Sequence, residues 1–366
     1  MPAKVRSAVE RLTWYYEHPF EQAIENSAAG IPVAGLTSNT VPWELLRAAG
    51  YFPLILNPGF GPAPFADRLM EDGVFSARIR GIFDAIASGA WPFLKLVVIP
   101  RTSEQEHKLF LYLREVARQS LSTGMPKVYL YNLLHTRSAE AEQYGLERAE
   151  DLRNYLRADD LTCAVEESNQ ARRAMHALLD LRQERPPRLS GTVALSLLGA
   201  MYFMDRAEYA GLALEAADEL SRGEPSHGPR ILIKGSPLHH TNLHRAIESH
   251  GAVVVAEDDW WGSRTITEEI PEAGNLVQAI FQTYYRQAPS PRDPSDAWFL
   301  SAAATVDAVV FYLPPEDDVL GWDYPRLGQT LEQRGRPHFL VREDASRKLS
   351  PGCHQRIQDF VRKLDT

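Results

Sequence analysis

The chain has very few cysteines: of its 366 residues, only Cys163 and Cys353 carry a thiol. They lie far apart, and neither belongs to a Cys-x-x-Cys pair. These two facts exclude a disulfide framework and an all-cysteine metal site made by this chain alone. The 7 tryptophans, 14 tyrosines and 14 phenylalanines supply enough apolar surface to bury more than one core without such cross-links.

Long apolar runs, excess positive charge and a hydrolase motif are absent as well. The most apolar segments, residues 94–100 and 192–204, are too short or too interrupted for the about 18 apolar residues of a membrane span. The formal net charge of −9 argues against general binding to nucleic-acid phosphates. No Gly-x-Ser-x-Gly run occurs, which disfavours a serine hydrolase. The N-terminal segment resembles a charged amphipathic helix rather than a targeting peptide, so we expect a cytoplasmic protein.

Two parts of the chain alternate between strand-like apolar runs and helical patterns, which is typical of α/β folds. Between them, the apolar spacing changes to the helical period of 3.6. The sequence therefore predicts two Rossmann-like or flavodoxin-like α/β lobes with parallel sheets, a helical insert and an N-terminal helix. The expected domain bounds are 1–30 for the N-terminal helical segment, 31–138 for the first lobe, 139–228 for the helical region and 229–366 for the second lobe.

A glycine-containing turn, Lys234-Gly235-Ser236-Pro237, follows a predicted strand. At a helix N-terminus such a turn can seat an anion, for example a phosphate or a thioester oxygen. A tight strand-to-helix turn capped by Ser236 explains the same residues equally well. The nearby His240 and His244 have the i, i+4 spacing of some metal sites, but Thr241 stands where a zinc hydrolase needs glutamate, so we favour a solvated helix start.

An acidic and aromatic segment, Glu257-Asp258-Asp259-Trp260-Trp261-Gly262-Ser263-Arg264, ends the next predicted strand. Loops at this edge of an α/β sheet usually face the ligand. Asp258 or Asp259 can then act as an acid or base, and Arg264 can pair with a carboxylate or phosphate. An internally satisfied loop, with its tryptophans in a domain interface, is an equally good interpretation.

Several motifs, in this order along most of the chain, resemble the 2-hydroxyacyl-CoA dehydratase and benzoyl-CoA reductase large-component (D-component) family. The run of residues 35–53 is similar to the family signature Tyr-Val-Pro-x-Glu-(Leu/Ile)-x-x-Ala-Ala-Gly-x-x-Pro. The other matching segments are Gly235-Ser236-Pro237, Ile247-Glu248 with Gly251-Ala252, Gly262-Ser263-Arg264, and Asp323-Tyr324-Pro325 with Arg334-Gly335-Arg336-Pro337.

The resemblance implies two α/β lobes with helical additions, in subunits that pair with related subunits. In members of this family, three cysteines of a subunit typically hold a [4Fe-4S] cluster at the lobe junction. A separate ATP-hydrolysing activator supplies one electron, so that a ketyl radical forms on the CoA thioester. The 2-hydroxyl group and a β-proton can then leave, or an aromatic ring can be reduced.

This sequence departs from the family pattern at the cluster. The expected cysteine positions are occupied by Ser76, Ser103 and Leu313. Iron–sulfur clusters need thiolate donors, which these side chains do not provide. We therefore expect no metal or cofactor in this chain, a [4Fe-4S] cluster in a homologous cysteine-bearing partner subunit, and ATP bound only by the activator.

The resemblance thus implies a cluster-free member that helps to bind an acyl-CoA thioester for radical dehydration or reduction, in a heterodimer. Ser38 and Glu44 are the candidate catalytic residues. The candidate substrate-binding residues are Gly235, Ser236, Asp259 and Arg264. Three alternatives stay open: Glu44 as a buried helix-start acid satisfied by backbone N–H groups, a non-catalytic acyl-CoA-binding or scaffold protein, and non-radical acid–base chemistry by Glu44 and Asp259.

Overall fold

The computed structural model describes residues 7–59, 61–71, 73–134, 136, 138–259, 261, 268–287, 296–315, 317–345 and 348–364. Two four-stranded sheets lie within these ranges, and every strand pairing in them is parallel. The strands are β1 (Val33–Leu36), β2 (Phe52–Ile55), β3 (Leu94–Pro100), β4 (Lys127–Tyr131), β5 (Arg230–Gly235), β6 (Val253–Asp258), β7 (Ala308–Tyr312) and β8 (His338–Val341). The predicted α/β class with two lobes and parallel sheets is confirmed.

Helices cover the faces of both sheets and fill the space between the lobes. In the described ranges they are α1 (Ala8–Glu17), α2 (Glu21–Ala28), α3 (Trp43–Ala48), α4 (Pro64–Leu69), α5 (Ala77–Ala87), α6 (Glu104–Arg118), α7 (Ala139–Leu156), α8 (Thr162–Gln183), α9 (Gly191–Gly199), α10 (Arg206–Ser221), α11 (Asn242–Glu248), α12 (Leu276–Gln287), α13 (Ala297–Ala304), α14 (Asp318–Gln333) and α15 (Pro351–Arg362). None of them is long and apolar enough to cross a membrane.

The two sheets have the same winding. The strand order is β2-β1-β3-β4 in the first sheet and β6-β5-β7-β8 in the second. In each sheet the chain moves outward from a central strand and then returns to build the other side. The loop after β1 and the loop after β3 therefore leave neighbouring strand ends in opposite directions. The same holds for the loops after β5 and β7. Open α/β sheets bind their ligands in the crevice between two such loops.

The helical region packs on both lobes. α8 and α10 lie against each other, α8 also contacts α3 and β6, and α9 contacts α11 and β6. Gly199 allows a close approach at this junction, because a Cβ atom there would lie 2.4 Å from the ring of Tyr16. A continuous apolar core consequently runs from the first sheet through these helices.

One predicted helix is wrong. The periodicity over residues 195–222 indicates a single helix, but the structure has α9, a short 3₁₀ turn at Ala200–Tyr202 and then α10. Asp205 starts the new helix, because its side chain accepts hydrogen bonds from the backbone N–H groups of Ala207 at 3.0 Å and Glu208 at 3.2 Å. When the apolar spacing continues across such a break, the periodicity alone does not reveal the break.

Candidate functional site

Glu44 lies in the first turn of α3, and its side chain is completely buried. Its Oε1 atom accepts hydrogen bonds from Arg206 at 3.1 Å and from the hydroxyl of Tyr284 at 3.3 Å. The hydroxyl of Ser168 also donates to Oε1, and Arg172 approaches the same atom at 3.5 Å. Four side-chain donors from α8, α10 and α12 thus converge on one carboxylate oxygen. The other oxygen, Oε2, is buried with no hydrogen-bond partner among the described residues.

The charge state of Glu44 follows from these neighbours. Burial raises the pKa of Glu44, but the guanidinium groups of Arg206 and Arg172 and the Ser168 hydroxyl outweigh burial and hold the pKa below its ordinary range. Glu44 is therefore an ionised carboxylate. Side chains from distant parts of the chain carry most of its hydrogen bonding.

A cavity of about 40 Å³ adjoins the partners of Glu44. This volume has room for about three water-sized groups. Besides apolar side chains, the lining contains Asn39, Thr40, Trp43, Arg172, Tyr202, Arg206 and Tyr284. The cavity therefore combines two cationic groups with several neutral hydrogen-bonding groups.

Ser38 lies in the loop that joins β1 to α3, at the carboxyl end of β1. Its hydroxyl shares a hydrogen bond of 2.7 Å with the hydroxyl of Thr40, and the neighbouring Asn39 amide donates to Tyr202 at 3.1 Å. Asn39, Thr40 and Tyr202 line the cavity. One short loop therefore carries Ser38 and part of the cavity wall and leads into the helix of Glu44, while the catalytic roles of Ser38 and Glu44 stay predictions.

The glycine turn of the second lobe has a conformation that requires glycine. Gly235 has φ +152°, and a Cβ atom there would lie 1.9 Å from the carbonyl oxygen of Tyr312. The N–H of Ser236 donates to that carbonyl at 3.0 Å, and the Ser236 hydroxyl donates to Asp317. The next helix begins only at Asn242. The turn is therefore not at a helix N-terminus, and the Ser236 N–H is used within the fold.

Glu257 is buried in the second lobe and belongs to β6, which ends at Asp258, whereas the sequence predicts that this strand ends at Ala256. It forms two hydrogen bonds with Arg182, of 2.8 and 2.7 Å, and one with His244, of 3.0 Å. Burial raises the pKa of Glu257, but Arg182 and His244 outweigh it and lower the pKa to about 2. The predicted solvated helix start is wrong for His244, which has no exposed surface.

The two acids that follow are also buried and bonded within the protein. Asp258 accepts a hydrogen bond of 2.6 Å from Lys234 on the neighbouring strand β5. Asp259 accepts from the backbone N–H groups of Leu238 at 3.2 Å and Trp261 at 2.9 Å. These contacts favour the internally satisfied interpretation of this segment. Arg264 lies outside the described residues.

The structure describes the surroundings of the three positions at which the family resemblance leads us to expect cysteines. Ser76 and Ser103 are the N-caps of α5 and α6, and their hydroxyls accept from the N–H groups of Ile79 at 3.4 Å and Glu106 at 3.1 Å. Leu313 is buried directly after β7. Both serines therefore hold backbone groups of their own helices.

A second cavity, of about 300 Å³, lies at this junction and brings Ser76 and Arg80 of the first lobe together with Pro315 and Asp344 of the second. Its lining contains no thiol. Within the described ranges, no group of three or more His, Cys, Asp or Glu side chains is placed to hold a metal ion. The residues at the junction consequently do not fit a [4Fe-4S] cluster.

Arg78 and Glu106 are further charged residues beside the strand ends, and no sequence motif singles out either of them. Arg78 donates to the carbonyl oxygens of Thr37 at 2.7 Å and Leu56 at 2.9 Å. Burial lowers the pKa of Arg78 to about 10, and burial raises the pKa of Glu106, whose carboxylate accepts from the Thr37 hydroxyl at 2.9 Å. Burial and the charge of Arg78 hold the pKa of His239, in the other lobe, well below its ordinary value.

Arg172, Arg206 and Tyr284 were missed as well. They lie 128, 162 and 240 residues from Glu44, so no local motif contains them. One signal was available for Arg172, because it shares a buried helix face with Ser168 and Met175 at i, i+4, i+7 spacing. A charged residue in such a stripe indicates a buried partner of opposite charge.

Comparisons with known proteins find one family model and several similar subunits. The family model of the 2-hydroxyglutaryl-CoA dehydratase D-component matches residues 38–364. The (R)-phenyllactyl-CoA dehydratase beta subunit of Clostridium sporogenes is 22% identical over 219 residues, which is 58% of this chain and 59% of that subunit. The aligned region thus spans less than two thirds of that relative.

Two further relatives align over more of their length. The beta subunit of (R)-2-hydroxyglutaryl-CoA dehydratase from Acidaminococcus fermentans is 19% identical over an alignment of 391 residues, covering 98% of this chain and 100% of that subunit. The putative dehydratase subunit YjiM of Escherichia coli is 26% identical over 293 residues, covering 73% of each chain.

Proposed function

The chain belongs to the 2-hydroxyglutaryl-CoA dehydratase D-component family, and from this membership we propose that it is the cluster-free subunit of a 2-hydroxyacyl-CoA dehydratase or benzoyl-CoA reductase-like complex. Its partner in this proposal is a homologous subunit that holds a [4Fe-4S] cluster. A separate activator hydrolyses ATP and delivers the electron to that partner. The names of two relatives, both beta subunits, support an assembly of more than one kind of subunit.

The observation that supports the proposal is the lack of thiol donors among the described residues at the lobe junction. Ser76 and Ser103 cap helices, and Leu313 is a buried apolar residue. The family fold is thus retained while the three positions cannot supply thiolates. In the proposal, electron transfer belongs to the partner, and no step of it passes through this chain.

This chain would contribute to the binding of the acyl-CoA thioester. Ser38 and Glu44 lie at the carboxyl end of β1, where α/β folds place their ligands. Glu44 is ionised, so it is able to accept a proton and cannot donate one. Because donors from four side chains share its Oε1 atom, its basicity is low, and its part in the reaction is to orient groups around the acyl chain.

Anaerobic purification and reconstitution with iron and sulfide test the proposal. This chain alone should hold less than stoichiometric iron, whereas its complex with a cysteine-bearing homologue should hold the cluster. That complex should dehydrate or reduce an acyl-CoA when activator and ATP are added. A stoichiometric cluster with brown absorbance in this chain alone would overturn the assignment of the cluster to the partner.

A non-catalytic acyl-CoA-binding or scaffold role is the second candidate. The observation that favours it is the internal bonding of Glu257, Asp258 and Asp259, which leaves fewer groups for chemistry in the second lobe. Co-purification separates the two proposals. A chain that stays monomeric and inert with every cysteine-bearing homologue and activator favours the binding role, whereas a stable active heterodimer favours the catalytic complex.

A further inference from the structure

Glu106 joins the two loops that flank the crevice of the first sheet. It lies in the first turn of α6 and is 5% exposed. One carboxylate oxygen accepts a hydrogen bond of 2.9 Å from the hydroxyl of Thr37, directly after β1. The other oxygen accepts from the hydroxyl of Thr102, in the loop after β3. Because β1 and β3 are neighbouring strands, one buried carboxyl group spans the place where open α/β sheets bind ligands.

The side-chain partners of Glu106 differ in kind from those of Glu44. Two guanidinium groups donate to Glu44, and because a guanidinium group cannot accept a hydrogen bond, it stabilises only the ionised acid. A hydroxyl group both donates and accepts. Thr37 and Thr102 are therefore able to donate to an ionised Glu106 and to accept from a protonated one. Glu106 keeps its hydrogen bonds in both protonation states.

Glu106 has no ion-pair partner within the described part of the chain. The charged group that faces it is Arg78 of α5, but Arg78 donates its hydrogen bonds to the carbonyl oxygens of Thr37 and Leu56. The other charged side chains near the start of α6 interact with one another; they are Arg101, Glu104 and His107. Burial accordingly raises the pKa of Glu106, so it keeps a proton at higher pH than an exposed glutamate does.

Thr102 connects this carboxyl group to the crevice. Thr37 has no exposed surface, whereas Thr102 is partly exposed. A proton that leaves Glu106 through a threonine hydroxyl therefore reaches the surface at Thr102. Ser38 follows Thr37 on the opposite loop, so a ligand in the crevice lies between the loops that carry Ser38 and Thr102.

We propose that Glu106 stores a proton and delivers it, through the hydroxyl of Thr102, to an oxygen atom of a ligand in this crevice. The proton of Glu106 passes to the Thr102 oxygen, while the hydroxyl proton of Thr102 passes to the ligand oxygen. Thr102 is unchanged at the end, Glu106 is left as a carboxylate, and the ligand oxygen has gained one proton. Solvent then returns a proton to Glu106. The ligand oxygen served in this way is one that gains negative charge during a reaction.

The reaction served by this proton deepens the proposed function and rests on it. When a 2-hydroxyacyl group loses its hydroxyl, the C–O bond breaks with its electron pair on oxygen, and one proton is needed to release water. Glu44 is ionised and cannot give that proton, whereas Glu106 can when it is protonated. The storage of the proton and its route through Thr102 do not depend on the proposed function.

Infrared spectroscopy of the full-length chain tests the stored proton, because a protonated carboxyl group absorbs at a higher frequency than a carboxylate. One such band should titrate above the ordinary range of glutamate and should be absent in Glu106→Gln. Glu104→Gln is the matched control, since Glu104 lies in the same helix turn with its side chain 67% exposed, and this variant should keep the band. The proposal is overturned if no such band exists or if it persists in Glu106→Gln.

Transfer of the protein into heavy water tests the route. The band of Glu106 should shift to lower frequency as its proton exchanges for deuterium, and the exchange should be about tenfold slower in Thr102→Val, which lacks the hydroxyl. Thr37→Val is the control, because it removes the partner that is not on the route, and its exchange should be as fast as in the unchanged chain. Thr102→Ala provides a second variant without the hydroxyl if Thr102→Val does not fold. Equal exchange rates with and without the Thr102 hydroxyl would overturn the route.

For the reaction, the complex with a cysteine-bearing homologue is assayed with activator and ATP over a range of pH. An amide both donates and accepts hydrogen bonds, so a purely structural bridge predicts that Glu106→Gln leaves kcat and its pH profile unchanged. We expect kcat to fall about a hundredfold with little change in KM, whereas Glu104→Gln should match the unchanged chain. An unchanged kcat would overturn the delivery of the proton. If the stored proton and its route are found but the complex of the unchanged chain is inactive, the proposed function fails instead.

Discussion

Arg182 of α8 and Glu257 of β6 form a fully buried ion pair, with two hydrogen bonds of 2.8 and 2.7 Å. The pair fastens the helical region to the sheet of the second lobe. Arg182 also donates to the carbonyl oxygen of Val254 at 3.1 Å. Breaking a buried pair by removing one partner leaves an uncompensated charge, which costs far more than the loss of an exposed pair.

Arg182→Met should therefore lower the free energy of unfolding by about 3–5 kcal/mol. The control is Arg173→Met, because Arg173 and its partner Glu269 are 48% and 45% exposed, and the expected loss there is below about 1 kcal/mol. Urea denaturation of both variants gives the comparison. Equal losses would show that the buried pair is no more important than a surface pair.

The same pair predicts the acid sensitivity of the protein. The pKa of Glu257 is about 2 in the folded chain, compared with an ordinary value of 4.5. A lowered folded pKa stabilises the protein above pH 4.5, and this contribution is lost as the pH falls towards 2. The ionised Glu257 thus contributes about 3 kcal/mol at neutral pH.

Unfolding free energies of the unchanged chain and of Glu257→Gln, measured between pH 7 and pH 3, check this expectation. The unchanged chain should be more stable at pH 7, and the difference between the two should shrink as the pH falls below about 4.5. A difference that stays constant over the whole range would contradict the assigned pKa.

Gly235→Ala should damage the second lobe, because the new Cβ atom would lie 1.9 Å from the carbonyl of Tyr312 and φ would be +152°. We expect a loss of about 2–4 kcal/mol or failure to fold. Gly211→Ala is the matched control, since nothing lies within 4 Å of a Cβ atom at this position in α10. That change should stabilise the helix by about 0.5–1 kcal/mol. Thermal unfolding of both variants decides between strain and a general intolerance of alanine.

Much of the fold was predictable because strand and helix patterns are local. The apolar run at residues 94–100 predicts a strand, and β3 has the same bounds. The last part of β6 was not predicted, because it contains the acidic residues Glu257 and Asp258. Charged residues are rarely buried in strands, so these two residues indicated a loop. Their partners Arg182 and Lys234 make this burial possible.

The site was less predictable, because sequence patterns are local and the residues of the site are distant from one another in the chain. A motif singles out Glu44, but its partners Arg172, Arg206 and Tyr284 come from three other helices. No pattern of neighbouring residues contains an arrangement that only the tertiary fold creates. The sequence thus identifies the acid and not the arginines and the tyrosine that donate to it.

Ser103 allows a last prediction about the positions at which cysteines were expected. Its hydroxyl accepts from the N–H of Glu106 at 3.1 Å and caps α6. Ser103→Ala should cost about 1 kcal/mol, and Ser103→Cys should cost a similar amount because a thiol is a weak acceptor. Ser221→Ala is the control, since the Ser221 hydroxyl, at the exposed end of α10, donates to the Asp218 carbonyl and caps no helix N-terminus. Anaerobic reconstitution of Ser103→Cys should leave iron below one equivalent, because a single thiolate does not hold a cluster. Unchanged stability in Ser103→Ala would mean that serine is not kept here as a cap.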